Sequence, residues 1–203
     1  MQMIACRNAE MSPLRLVDAM LSARRPFFVE LIQRGLPNHD AQPKIQQFDE
    51  PYARYLIIMC DGKHVASARL LPTTKPHILG TLFSHLCEKL VPTGPAVNEI
   101  HRFCLDRNQP SSKRRSARDA LITTLVDFAI AEAIMTYTGF ATTRLFEQFS
   151  QFGWCCHALG SPHQKQPRAL VPFRIVVDEH TVERTAATEI YVSDAHGASG
   201  IAA

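Results

Sequence analysis

Residues 55–71 have the sequence YLIIMCDGKHVASARLL, which predicts a β-hairpin. Apolar and β-branched side chains dominate residues 55–60, and Asp61-Gly62 is a favoured hairpin turn. The return strand is predicted over residues 64–71. It ends at Pro72, because proline has no backbone N–H to donate to a β-ladder. An antiparallel pair of strands is therefore the first predicted part of a sheet.

The rest of the chain alternates between helical and strand-like patterns. Apolar residues at helical spacing predict helices over residues 12–33, 78–90, 116–133 and 142–152. Strand-like patterns predict strands over residues 97–105, 134–140, 170–177 and 188–192. This order predicts an α/β fold with a mixed, largely antiparallel sheet covered by helices, as in acyl-CoA N-acyltransferases (GNAT-like). We predict one acyltransferase-like domain over residues 1–195 and a disordered tail over residues 196–203.

The composition excludes several classes of protein. The chain has 203 residues, of which 46% are hydrophobic and 20% are charged, as in an ordinary globular domain with a sizeable core. A net charge of +3 is too small to indicate nucleic-acid binding. No apolar run approaches the roughly 20 residues that span a bilayer, and residues 1–10 lack a signal-peptide pattern. We therefore expect a cytoplasmic enzyme that binds neither nucleic acid nor membrane.

The cysteines give no metal signature. The chain has six, and no two form a Cys-x-x-Cys pair. Cys155-Cys156-His157 is the one cluster with potential ligands, but adjacent residues rarely converge on one tetrahedral ion. We expect no metal, and reduced cysteines that lie partly in the core.

Three segments carry a more specific signal. Residues 68–74 have the sequence ARLLPTT, Leu82-Phe83 follows, and residues 98–103 have the sequence NEIHRF. Phe48-Asp49 lies upstream, as does Arg24 with Phe28 one helical turn later. Together these motifs resemble the acyl-homoserine-lactone (autoinducer) synthase family over about residues 15–180.

The resemblance implies an activity. Such an enzyme transfers an acyl group from acyl carrier protein or acyl-CoA to the amine of S-adenosylmethionine. The product then lactonises with release of methylthioadenosine and serves as a quorum-sensing signal. Both reactants are substrates, so the resemblance implies no cofactor.

The resemblance also implies a set of site residues. The family's charged and aromatic positions fall here on Arg24, Phe28, Asp49, Arg69, Phe83, Glu99 and Arg102. The chain departs from the family pattern at four other positions, where Gln46 replaces an acidic residue, Arg34 a tryptophan, Ala66 a glycine and His101 an often small, hydroxylated residue.

The substrate's charges explain why these residue types are needed. S-adenosylmethionine is a zwitterion with an added sulfonium, so its pocket needs a carboxylate, an arginine fork and an aromatic face. We assign the first role to Asp49, the second to Arg24 or Arg69, and the third to Phe28. Phe83 is the other aromatic member of this predicted binding site.

The predicted catalytic residues are Glu99, Arg102 and Arg69. Glu99 is the candidate base for the substrate amine, directly or through water. On a regular strand Arg102 would point to the opposite face from Glu99, so both reach one site only across a bulge or twist. The alternative is a buried structural salt-bridge network with core phenylalanines, and a structural role for His101.

A basic segment is the predicted docking site for the acyl donor. Lys113, Arg114, Arg115 and Arg118 precede or open the long helix, whose N-terminus attracts the phosphates of coenzyme A or an acidic carrier protein. A solvated basic turn is the alternative.

Apolar residues are predicted to line the acyl chain. The candidate walls are Phe103, Met135, Phe140, Phe146, Phe149 and Trp154. By resemblance, Thr142 matches a position associated with accepting a 3-oxo group, and its alternative role is to cap a helix.

Two other functions remain open. A GNAT-type N-acetyltransferase using acetyl-CoA would share the fold without needing the charged set. A non-catalytic relative is favoured by the departures at Arg34 and Gln46.

Overall fold

The computed structural model describes residues 52–163 and 169–191 with their side chains, and the backbone of residues 2–7 and 200–201. The predicted helix over residues 12–33 lies outside the described residues, as do Arg24, Phe28 and Asp49. In chain order the described elements are β1 Gln2–Arg7, β2 Arg54–Cys60, β3 Lys63–Pro72, α1 Ile78–Thr81, β4 Val97–Leu105, α2 Ser111–Ala131, β5 Thr136–Thr142, α3 Thr143–Ser150, β6 Cys155–Ala158, β7 Leu170–Val176, α4 Thr181–Ala186 and β8 Gly200–Ile201. A 3₁₀ turn spans Ser84–Leu86.

The described chain falls into two compact units. The first includes residues 2–7, 52–70, 102–125 and 200–201. The second includes residues 71–101, 126–163 and 169–191. A single domain over residues 1–195 stays a prediction.

The first unit contains the predicted hairpin. Strands β2 and β3 pair antiparallel, β1 pairs antiparallel with β2, and β8 runs parallel to β1. Asp61 and Gly62 have φ values of 52° and 71°, the left-handed conformation that a type I′ hairpin turn requires at both central residues. The hairpin prediction is confirmed, and local turn chemistry explains it.

The second unit contains residues 97–101 of β4 and strands β5 to β7, in the order β4-β5-β7-β6. Strand β4 pairs parallel with β5 over Val97–Glu99, whereas β5 and β7 pair antiparallel over the whole length of β5. Helix α3 packs on this sheet through Phe149, whose ring centroid lies 5.3 Å from that of Phe173. Trp154 extends the same aromatic core. The sheet is mixed and largely antiparallel, as predicted.

Two helices differ from their predicted bounds. The long helix begins at Ser111 rather than residue 116, because the Arg114 N–H already donates to the Pro110 carbonyl. Proline at a helix start sacrifices no intrahelical hydrogen bond. The predicted helix over residues 78–90 is instead α1 followed by the 3₁₀ turn.

The strand predicted over residues 188–192 is wrong where the structure describes it. Helix α4 ends at Ala186, and turns follow it through Thr188 and Glu189, whose N–H groups donate to the carbonyls of Thr185 and Ala186. Glu189 has φ 58°, a left-handed conformation that ends these turns. The strand β6 was not predicted. No helix of the described chain is both long and apolar enough to cross a membrane.

Candidate active site

Glu99 lies on β4 and is wholly buried. Its two carboxylate oxygens accept the same backbone N–H, that of Leu79, at 3.2 and 3.0 Å. Leu79 is in the first turn of α1, where backbone donors have no intrahelical acceptor, and His77 at the N-cap offers no side-chain bond. Glu99 therefore satisfies a helix donor and is held in one orientation.

An aromatic cluster belongs to the same unit as this carboxylate. The segment that binds Glu99 also carries Phe83, which is 2% exposed. The Phe83 ring centroid lies 4.6 Å from that of Phe140 on β5, and Phe140 meets His101 edge-on at 5.3 Å. The predicted base and one predicted substrate-binding aromatic thus belong to the same unit.

The pairing of β4 with β5 ends at this point of the sheet. Its register joins Val97–Glu99 to Thr136–Thr138, so Glu99 and Thr138 form the last pair. The next residue on β5 is Gly139, where an ideal Cβ would lie 2.8 Å from the Ile100 carbonyl oxygen. The ladder between the two strands therefore ends at Glu99 and Thr138, next to a position that has no room for a side chain.

The two predicted catalytic arginines belong to the first unit. Arg69, on β3 opposite Tyr55, is wholly buried. Arg102 is half-buried on β4 and has φ 52°. This left-handed conformation interrupts the side-chain alternation of the strand, so the predicted opposite facing of Glu99 and Arg102 does not follow.

The four basic residues lie on the first two turns of α2 rather than before it. Arg118 is engaged with Asp119, with Nε and one terminal nitrogen 2.8 and 2.6 Å from Oδ1. Arg114 donates to the Arg107 carbonyl at 3.2 Å. Lys113 and Arg115 are exposed, which makes them the members of the set best placed to meet a partner.

The predicted acyl-contact residues have different environments. Thr142 is the N-cap of α3, and its Oγ1 accepts the Leu145 N–H at 3.4 Å, as the alternative interpretation required. Phe103 and Phe146 are half-buried, and the Phe146 ring centroid lies 6.2 Å from that of Phe173. Met135 is 65% exposed.

The cysteine and histidine cluster lies on the short strand β6. Cys155 Sγ is 3.3 Å from His157 Nε2, and burial raises the pKa of Cys156 to about 12. Among the residues that the structure describes, no three His, Cys, Asp or Glu side chains are grouped to bind a metal ion.

Sequence reasoning missed two groups at this site. The Leu79 N–H is a backbone group, which leaves no mark on the sequence beyond the preceding Pro76-His77. Thr138 lies within the strand predicted over residues 134–140, where no role was assigned to it. The pattern that could have indicated a role is a hydroxyl in a buried strand next to a glycine, which marks the close approach of another group.

Comparison with known proteins decides the family. A model described as autoinducer synthase matches residues 38–190, about three quarters of the chain. The chain belongs to the autoinducer synthase family. It is 37% identical over 83 residues to an acyl-homoserine-lactone synthase of Pseudomonas chlororaphis, a match that covers 39% of this chain and 42% of that protein. It is 28% identical over 174 residues to one of Ralstonia nicotianae, covering 81% of this chain and 84% of the relative.

The chain thus spans about two fifths of the length of the Pseudomonas chlororaphis relative.

Solved structures of autoinducer synthases have the same fold. The CoA-dependent acyl-homoserine lactone synthase BjaI, solved with MTA, aligns with a TM-score of 0.78 at 19% identity over 93% of this chain and 89% of BjaI. LasI aligns with a TM-score of 0.77 at 21% identity over 92% of this chain and 95% of LasI. The predicted GNAT-like α/β fold is therefore confirmed.

Proposed function

We propose that this chain is an acyl-homoserine-lactone synthase, which acylates the amine of S-adenosylmethionine and closes the product to a lactone. The observation that carries the proposal is the buried Glu99 carboxylate, which the Leu79 N–H fixes in a chain of this family. A carboxylate that is both buried and oriented is suited to accept a proton from a substrate. The proposal keeps the cytoplasmic location that the composition predicts.

In the first step, Glu99 takes a proton from the substrate ammonium, directly or through water. The nitrogen lone pair then forms a bond to the acyl carbon. As the tetrahedral intermediate collapses, the carbon–sulfur bond breaks, and the nitrogen's extra proton passes to the departing thiolate, directly or through water. Backbone N–H groups where β4 and β5 part are the proposed donors to the oxyanion. In the second step a carboxylate oxygen of the substrate forms a bond to the γ-carbon, and the γ-carbon–sulfur bond breaks. This closes the lactone and releases methylthioadenosine.

The remaining charged residues are proposed to hold the methionine part of the substrate. Arg24 or Arg69 pairs with its carboxylate, and Asp49 faces its cationic groups. Phe28 and Phe83 cover the sulfonium and adenine, a contact that cation–π attraction favours. Arg102 completes the catalytic set. Holding the methionine chain folded brings the carboxylate close to the γ-carbon, which is a positioning task.

The acyl donor is proposed to dock on the N-terminal turns of α2. Lys113 and Arg115 present exposed positive charge, which suits the acidic surface of acyl carrier protein or the phosphates of coenzyme A. The neighbour BjaI is CoA-dependent, so both donors belong in the assay. The acyl chain is proposed to lie near Phe103, Thr142 and Phe146.

One assay separates this function from its rivals. The purified chain is incubated with S-adenosylmethionine and either acyl carrier protein or coenzyme A thioesters, and methylthioadenosine and lactone are quantified by mass spectrometry. A synthase forms both products in equal amounts. An acetyltransferase consumes acetyl-CoA without releasing methylthioadenosine, and a non-catalytic relative binds S-adenosylmethionine and forms neither product. Either of these results would refute the proposal.

A further inference from the structure

Thr138 is a buried polar residue that the proposed mechanism leaves unused. It lies in the middle of β5 and is 0% exposed. Its Oγ1 is buried and makes no hydrogen bond to any protein group within the described ranges. Other fully buried threonines of the same unit are satisfied: Thr185 Oγ1 donates to the Thr181 carbonyl at 2.7 Å. A buried hydroxyl without a protein partner is unusual and requires an explanation.

The sheet register places Thr138 directly beside Glu99. Thr138 pairs with Glu99 on β4 and with Arg174 on β7. Paired residues of neighbouring strands project from the same face of a sheet, so the Thr138 hydroxyl and the Glu99 carboxylate lie side by side. Phe140, two residues later on β5, continues that face and contacts Phe83. The unsatisfied hydroxyl thus lies next to the proposed base, where the strands begin to part.

We propose that the Thr138 hydroxyl is a second acceptor for the nucleophilic amine, beside Glu99. This inference rests on the proposed function, since it names a further contact of the same substrate. Neighbouring strands are about 4.8 Å apart. A tetrahedral nitrogen can donate to two oxygens at roughly that separation, with each N–O distance about 2.9 Å. The two oxygens together fix the orientation of the nitrogen. Its lone pair then faces the acyl carbon.

Valine is the informative replacement because it keeps the shape of threonine and removes only the hydroxyl. An unpaired buried hydroxyl costs stability, so Thr138→Val should leave the melting temperature unchanged or higher. It should lower kcat for lactone formation by about 10- to 100-fold, the effect of losing one hydrogen bond to a charged group. Thr138→Ser keeps the hydroxyl and should recover most of the wild-type kcat.

Thr185→Val is the matched control. It removes an equally buried hydroxyl that has a protein partner, in α4 and away from the proposed site. We expect it to lower the melting temperature and to leave kcat unchanged. Methylthioadenosine supplies a second control, because it lacks the amino-acid part of the substrate. Its inhibition constant should be the same for wild type and Thr138→Val.

The wild-type assay separates the two levels of the proposal. If wild type releases no methylthioadenosine with any donor, the proposed function fails. If wild type turns over and Thr138→Val has the wild-type kcat, the assignment of Thr138 is wrong while the function stands. A loss confined to 3-oxo-acyl donors would also overturn it, because the hydroxyl would then contact the acyl chain. An equal loss with unsubstituted and 3-oxo donors is the expected result.

Discussion

The Glu99 carboxylate is bound through both oxygens to the backbone N–H of Leu79, twenty residues earlier in the chain. Glu99 is wholly buried, and this contact fixes the direction of the proposed base.

Replacing Glu99 by glutamine tests the proposed base. The amide oxygen of Glu99→Gln can still accept the Leu79 N–H, so the local fold should persist. Because an amide cannot take the amine proton, we expect kcat to fall by about 10²- to 10⁴-fold, the usual contribution of a general base. Steady-state kinetics and thermal unfolding measure the two effects. Wild-type kcat in a folded Glu99→Gln variant would exclude the role.

Gly80→Ala tests whether the α1 turn must stay in place. An ideal Cβ at Gly80 would collide with Nε2 of His77, which is buried and whose Nδ1 lies 3.1 Å from the Lys75 carbonyl oxygen. Alanine otherwise favours a helix by about 1 kcal/mol, so a loss must come from this collision. Displacing the turn moves the Leu79 N–H away from Glu99, and we expect a several-fold lower kcat.

A second substitution separates the collision from any other effect of Gly80→Ala. Combining it with His77→Ala removes the ring and makes room for the new Cβ, so activity should recover relative to the single variant. Thr81→Ala, at an exposed position of the same helix, is the control and should be neutral. If the double variant is no more active than Gly80→Ala, the steric explanation is incorrect.

Charge reversal on α2 tests the donor surface. Lys113→Glu and Arg115→Glu replace exposed positive charges, so each should raise the apparent KM for acyl carrier protein several-fold and leave the KM for S-adenosylmethionine unchanged. Added salt should shrink the difference between wild type and variant, because surface charges are screened. Lys63→Glu, at the exposed start of β3, is the control. An unchanged donor KM would favour the solvated basic turn.

The reactivity of Cys156, on β6, tests whether its thiol is buried. Because burial raises the pKa of Cys156 to about 12, its reactive thiolate is scarce at pH 8 and increases as the pH rises toward that value. In the native protein, alkylation of Cys156 by iodoacetamide should therefore be much slower than in the unfolded chain. Peptide mass spectrometry after timed labelling measures both rates. Equal rates would show that the thiol is not buried.

Local signals explain which parts of the fold could be predicted from the sequence. The β2–β3 hairpin follows from Asp61-Gly62 between apolar runs, and the middle of α2 follows from buried residues such as Leu121 and Leu125 at helical spacing. The strand prediction failed at residues 188–191. The β-branched residues there follow the end of helix α4, where hydrogen bonds to the preceding turn outweigh strand propensity.

The candidate site was predictable only in part. The motif predicts Glu99 and Phe83, because a sequence motif specifies side chains. It cannot predict the Leu79 N–H, which any residue would supply, or the importance of Thr138, which depends on strand register. The left-handed conformation of Arg102 was also not predictable, since a regular strand is the default for a non-glycine residue.

The absence of a side chain at Gly139 has a consequence for engineering this enzyme family. A Cβ there would meet the Ile100 carbonyl oxygen, and also the rim of the Phe173 ring at 3.0 Å. A side chain at position 139 would therefore have to displace main chain of β4 as well as a ring. Libraries intended to change which acyl groups are accepted should leave position 139 alone and vary the neighbouring aromatic residues.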